Sequence, residues 1–137
     1  MNAKEYLKQA YRLNECIDLE VEKLEQLRSL AGAIKSTSFG EHIPSASHSN
    51  EAPFVKTIIK ITEMQERINQ NIDKLVDLKR EMDDAIKKLD RVDERLLLEY
   101  RYIYNYSWED ISRTLNMSVR SVHRVHSSAL RNFIVPK

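Results

Sequence analysis

The chain has 137 residues, with 22 Lys/Arg against 21 Asp/Glu and a formal net charge of +1, so it is not a strongly basic protein that coats nucleic acid everywhere. Two Gly and three Pro leave little room for a turn-rich β fold. No run approaches the roughly 18 apolar residues of a membrane span, and the opening MNAKEYLKQA lacks the apolar stretch of a signal peptide. One cysteine, Cys16, cannot form an internal disulfide. These bounds predict an all-α, cytoplasmic protein of one small or two very small units with no membrane contact.

A first helix is predicted from about Ala3 to Ile34. Tyr6, Ala10, Leu13, Ile17, Val21, Leu24, Leu27, Ala31 and Ile34 recur at steps of three and four and form one apolar seam. The opposite face, with Glu15, Asp18, Glu22 and Glu25, is a solvated charged surface. Residues 35–53 are rich in Ser, with Gly40, Pro44 and Pro53 as breakers, and predict a flexible loop. His42 and His48 in this stretch have no Cys nearby and predict solvated loop histidines rather than a metal site.

A second helix is expected after Pro53, to about Leu89. Its seam is Ile58, Ile61, Gln65, Ile68, Ile72, Leu75, Lys79, Met82, Ile86 and Leu89. This alternating three-four spacing is a coiled-coil heptad pattern. Gln65 and Lys79 interrupt it, either as polar residues at a solvent edge or as determinants of register and oligomer state. The two helices, about 45 and 50 Å long at 1.5 Å per residue, most simply fold as an antiparallel coiled-coil hairpin spanning residues 1–90. Such a hairpin has little core, so it is expected to form a homodimer or to pack on the remaining chain. Ile59, Val76, Leu78, Ala85 and Val92 supply a second stripe for that contact.

From Arg91 the composition shifts. Residues 1–90 hold 14 Lys/Arg and 16 Asp/Glu, net −2, whereas residues 91–137 hold eight and five, net +3. Beyond Ile111 there is no acid, while Arg113, Arg120, Arg124, Arg131 and Lys137 remain. A locally basic end on a neutral chain suits a module that meets phosphate at one place. Val92-Asp93 either breaks helix two or lets it run on. If it breaks, Asp93 can cap a helix over Glu94–Tyr104, with Leu97, Leu98, Arg101 and Tyr102 turned toward the C-terminal helices. The aromatic group Tyr100, Tyr102, Tyr104, Tyr106 and Trp108 is expected mostly to fill core and turns.

The stretch SWEDISRTLNMSVRSVHRVHSSALRNF, Ser107 to Phe133, carries the signature of a helix-turn-helix. Ser107 is a suitable N-cap with Asp110 three residues on. Trp108, Ile111 and Leu115 share one face. Asn116 tolerates the left-handed backbone that a sharp turn demands. Ser118 caps a second helix whose Val119, Val122, Ala129 and Phe133 point inward. The expected fold is therefore a hairpin followed by a C-terminal three-helix unit, residues 91–137. Arg120, Ser121, His123 and Arg124 are left to face base edges in the major groove. Ser107, Trp108, Ser118, Ser127 and Arg131 are better suited to position the phosphate backbone.

Leu97-Leu98, Arg101-Tyr102, Ser107 to Ile111, Leu115, Ser118, Val122 and Ala129-Leu130 together resemble the promoter-recognition domain at the C-terminus of bacterial sigma factors. That domain has Gly where this chain has Asn105 and Asn116, and commonly a core Leu where it has His126. Over nearly its full length, including MNAKEYLKQAYRLNECI and IDKLVDLKREM, the chain resembles small sigma-factor-like prophage regulators of Gram-positive bacteria. The resemblance implies phage gene regulation and a C-terminus that binds double-stranded DNA. A two-helix N-terminal half leaves no room for the aromatic and basic apparatus that opens a promoter, so an activator that contacts RNA polymerase is expected rather than a complete sigma factor. Two other readings stay open: a DNA-packaging adaptor like a phage small terminase subunit, and a protein-interaction module that meets RNA polymerase without DNA. No Gly-rich phosphate loop, metal-ligand cluster or catalytic constellation is present in the sequence, so neither enzyme activity nor a cofactor is expected.

Overall fold

The computed structural model describes residues 1–40 and 47–137, with side chains described outside residues 35–52. All regular structure among the described residues is helical: α1 Ala3–Gly40, α2 Ser47–Ile86, α3 Val92–Leu98, α4 Trp108–Leu115 and α5 Val119–Asn132. The fold is all-α. None of the described helices is long and apolar enough to cross a membrane.

α1 outruns its predicted end and α2 its predicted start, while α2 stops at Ile86, short of the expected Leu89. α1 continues to Gly40, and α2 already begins at Ser47 with Pro53 inside it, so the expected loop over residues 35–53 is helical at both margins. Its remainder, including His42, and the His48 side chain lie outside the described residues. Pro53 lacks an N–H and forfeits one helical hydrogen bond. Its carbonyl accepts from the Thr57 hydroxyl at 2.8 Å.

The chain divides into two compact units, Glu15–Asp73 and a second made of Met1–Asn14 with Lys74–Lys137. In the first, α1 and α2 run antiparallel. The Asn71 amide donates to Glu20 at 3.3 Å, and Arg28 donates to the Gln65 side-chain carbonyl; as the residue number rises on one helix it falls on the other. Gln65, which interrupts the apolar seam, is therefore a cross-helix hydrogen-bond acceptor. Ile17, Leu24, Ala31 and Ile68 are buried here. Val21, Ile58 and Ile72, expected in the seam, are exposed. Two helices can bury only a narrow stripe from each partner, so residues at the edge of the stripe stay wet.

The second unit has the larger core. Leu7, Met82, Ile86, Leu97, Leu98, Ile111, Val122 and Ala129 are fully buried, with Tyr6, Ala10, Ala85, Leu89, Tyr102 and Phe133 packed among them. Of the two courses left open at Val92-Asp93, the chain breaks: α2 ends at Ile86 and α3 starts at Val92. The boundary drawn at Arg91 thus marks the start of the short helices, but the unit built on them also takes in the start of α1 and the end of α2. The N-cap of α3 is Arg91, not Asp93 as expected. Asp93 instead accepts from the adjacent Glu94 N–H at 2.9 Å and pairs with Arg91 at 3.1 Å. α3 passes without a break into a π-helical turn over Glu99–Ile103, where the Tyr104 N–H reaches back five residues to Glu99 at 3.1 Å.

Candidate nucleic-acid interface

Two serines start the two helices of the motif. The Ser107 hydroxyl accepts from the Asp110 N–H at 3.1 Å, and the Ser118 hydroxyl accepts from the Ser121 N–H at 3.1 Å. Each satisfies one of the orphan donors of a helix start. The Asp110 carboxyl completes the first cap by accepting back from Ser107, and that bond, with Arg113 alongside, holds it below the usual carboxylate range. Between the helices, Asn116 sits at φ 53° in the left-handed region, the conformation expected of it. Asn105, before the first cap, does the same at φ 59°. The short side chain of Asn makes that region accessible without Gly.

α4 and α5 bury Ile111, Val122 and Ala129, with Leu115 half-buried. Val119 is a correction: expected inward, it is 38% exposed. It is the first residue of α5, one position after the cap, where the helix has not yet reached the core. His126, by contrast, lies in the core, although sequence reasoning marked it only as an unusual substitute for Leu. It is 8% exposed, and its Nε2 lies 2.7 Å from the Tyr102 hydroxyl. Burial first, then the positive charges of Lys4 and Arg101, push its pKa down to about 4, so the imidazole is neutral at pH 7.

A second buried polar group was not foreseen. Glu94 on α3 is 1% exposed and accepts from the Ser128 hydroxyl at 2.6 Å and from the Asn132 amide at 3.2 Å. This ties α3 to the back of α5 and fixes the rotation of α5 about its own axis. Glu94 gave no signal in the sequence, where it reads as one solvated acid among many.

With that rotation fixed, Arg120, His123, Arg124, Ser127 and Arg131 are all exposed. Ser121 is half-buried, its hydroxyl 3.0 Å from that of Ser118, so it belongs more to the cap than to an outer face. Ser107 and Ser118 are exposed. Trp108 is half-buried in a pile of rings. The Arg101 guanidinium lies 4.2 Å above it, and His123 and His126 pack against it at 4.7 and 4.8 Å between ring centres. Arg101 also donates to the Tyr106 carbonyl at 3.0 Å. Trp108 thus joins the start of α4 to the exposed side of α5 through His123. Tyr100 stacks on Tyr106 at 5.1 Å and closes the turn ahead of α4.

A family model described as "Protein of unknown function (DUF1492)" matches residues 55–133, the span from the early part of α2 through α5. The chain belongs to this family. No curated protein and no solved structure matches it. The family segment contains both helices of the motif and every candidate contact residue named from the sequence, but not α1.

Proposed function

We propose that the protein is a DNA-binding transcriptional regulator, with α5 as the helix that enters the major groove. The observation that carries this reading is the exposed set Arg120, His123, Arg124, Ser127 and Arg131 on one capped helix, in a segment without an acidic residue after Ile111. Arginine bonds guanine edges bidentately, and Ser and His hold phosphates or bases. The start of α5, capped by the exposed Ser118 and without an acid in its first turn, is a helix N-terminus of the kind that favours phosphate. The resemblance to the promoter-recognition domain of sigma factors points the same way and adds a prophage origin, a cytoplasmic site of action and RNA polymerase as a partner.

One such unit contacts few base pairs, so a homodimer is part of the proposal. Val55, Ile58, Ile59 and Ile72 leave apolar area on the outside of α2, and a second copy is the proposed cover for it.

The test is selection of bound fragments from random and phage-genome DNA at two salt concentrations, with light scattering on the same sample. A common enriched motif, weakened by salt and lost in Arg124→Ala, supports the regulator. A ring of many copies would favour a packaging adaptor instead. No retained DNA, with RNA polymerase still captured, would favour a protein-interaction module.

A further inference from the structure

A cavity of about 630 Å³ opens beside the start of α4, within the unit that contains the short helices. One wall is the first turns of α1, where Lys4, Lys8 and Arg12 follow one another at four-residue steps. That spacing stacks them on one helix face at intervals of about 6 Å. Arg101 stands on another wall, Ser107 at the rim, and Trp108 and His126 line the aromatic side. No acidic residue lines the cavity. Among the described residues, none of the four cations is in an ion pair.

Three exposed cations and Arg101 border one concavity that has no acidic residue on its wall, so their fields add there and favour an anion. The α1 wall is firmly built. Asn2 accepts from the Glu5 N–H at 2.8 Å and Glu5 accepts back from the Asn2 N–H at 3.1 Å, a reciprocal cap that holds the first turn carrying Lys4. Tyr6, Leu7 and Ala10, on the opposite side of the same turns, are buried in the core. Trp108, on the cavity wall, packs against the exposed His123 of α5 at 4.7 Å between ring centres.

We propose that this cavity is a phosphate seat, formed by Lys4, Lys8 and Arg12 of α1 with Arg101, that extends the DNA footprint from the helix-turn-helix onto the first helix of the chain. The inference rests on the DNA-binding reading of α5. Its content is distinct: the start of α1, outside the segment the family model matches, acts as part of the DNA-binding surface and holds backbone phosphates without reading bases. The neutral His126 and the face of Trp108 add no negative charge to the seat, and Ser107 supplies a hydroxyl and the capped start of α4.

The experiment compares the full chain with the triple variant Lys4→Ala, Lys8→Ala, Arg12→Ala and with a control of equal charge loss elsewhere, Lys23→Ala, Lys56→Ala, Lys60→Ala. All six residues are exposed, and Ala is a good helix former. Affinity for a duplex bearing the selected motif is measured across salt, and the selection is repeated on the variants. The seat predicts that the first triple variant binds about 10- to 100-fold more weakly at low salt, with the slope of log K against log salt reduced by about two. Its selected motif stays the same, and the control variant behaves as the parent. If the parent binds DNA and the first variant matches it in affinity and slope, the seat is overturned while the regulator stands. If the parent binds no DNA, both fall. A third arm titrates inorganic triphosphate at constant ionic strength, followed by fluorescence of the single tryptophan, Trp108. Saturation by triphosphate, with DNA binding of the first variant unchanged, assigns the cavity to a free anion and overturns the DNA-backbone seat.

Discussion

The Tyr102 hydroxyl and the His126 imidazole meet at 2.7 Å in the core of the C-terminal unit, one from the π-helical turn and the other from α5. Each would be a costly orphan alone. Tyr102→Phe is expected to cost about 1 kcal/mol, and His126→Leu a similar amount, because each leaves the other's polar group without its partner. The double variant should cost clearly less than the two together, since an apolar pair of similar volume needs no partner. Chemical denaturation of the four proteins measures the coupling; strict additivity would show that the bond contributes nothing.

The same histidine sets a pH dependence. Its folded-state pKa lies near 4, against 6.5 ordinarily. Between those values the unfolded chain takes up the proton and the folded chain does not. The stability tied to a neutral His126 is therefore complete above about pH 6.5 and is lost as the pH falls toward 4. Thermal melts of the parent and His126→Leu should differ in slope within that window, the parent losing more on acidification.

Glu99 works in the opposite direction. Burial first, then the neighbouring Asp83 carboxylate, raises its pKa to about 7 from 4.5, so the folded state favours its protonated form. Its contribution is present below about pH 4.5 and is lost as the pH rises toward 7. Glu99→Gln keeps a neutral donor toward Asp83 at every pH. The variant is expected to match the parent near pH 4.5 and to exceed it in melting temperature at pH 7 and above. Equal melting temperatures at pH 7.5 would refute the assignment.

Glu94 holds α3 to α5 through Ser128 and Asn132. Glu94→Ala removes charge-assisted bonds to the half-buried Ser128 and the exposed Asn132 and is expected to destabilise by about 1.5–3 kcal/mol. DNA affinity measured below the melting temperature should fall as well, because the rotation of α5 is no longer fixed. Full affinity in a folded Glu94→Ala protein would separate that clamp from the interface.

At the turn, Asn116 occupies the left-handed region. Asn116→Ala is expected to cost about 1 kcal/mol, from the clash of Cβ in that conformation, while Asn116→Gly should be neutral or slightly stabilising. Urea titrations of the two variants check the order.

At the interface, Arg120→Ala and Arg124→Ala are each expected to weaken specific DNA binding by about 1–3 kcal/mol, or roughly 5- to 150-fold, and to relax preference at one or two positions. Helicity by circular dichroism should not change, because both side chains are exposed. Unchanged binding in both would remove α5 from the groove.

Local chemistry made much of this protein legible in its sequence. The caps at Ser107 and Ser118, the left-handed Asn116 and the inward Ile111, Val122 and Ala129 each follow from side-chain type and short-range spacing, so no distant residue was needed to foresee them. The all-α class followed in the same way from periodicity and the scarcity of Gly and Pro. What the tertiary structure alone decided concerns groups whose environment is set by residues far away in sequence. Glu94 became a buried clamp because Ser128 and Asn132 face it, and His126 became a neutral core residue because Tyr102 does. Val21, Ile58 and Ile72 match the seam in period yet lie in water, since two helices bury less width than the pattern offers. Lys4, Lys8 and Arg12 carry no motif in the sequence, and only folding sets them beside Arg101 in one cavity. Periodicity tells which face of a helix is apolar; only the three-dimensional packing tells what stands opposite it.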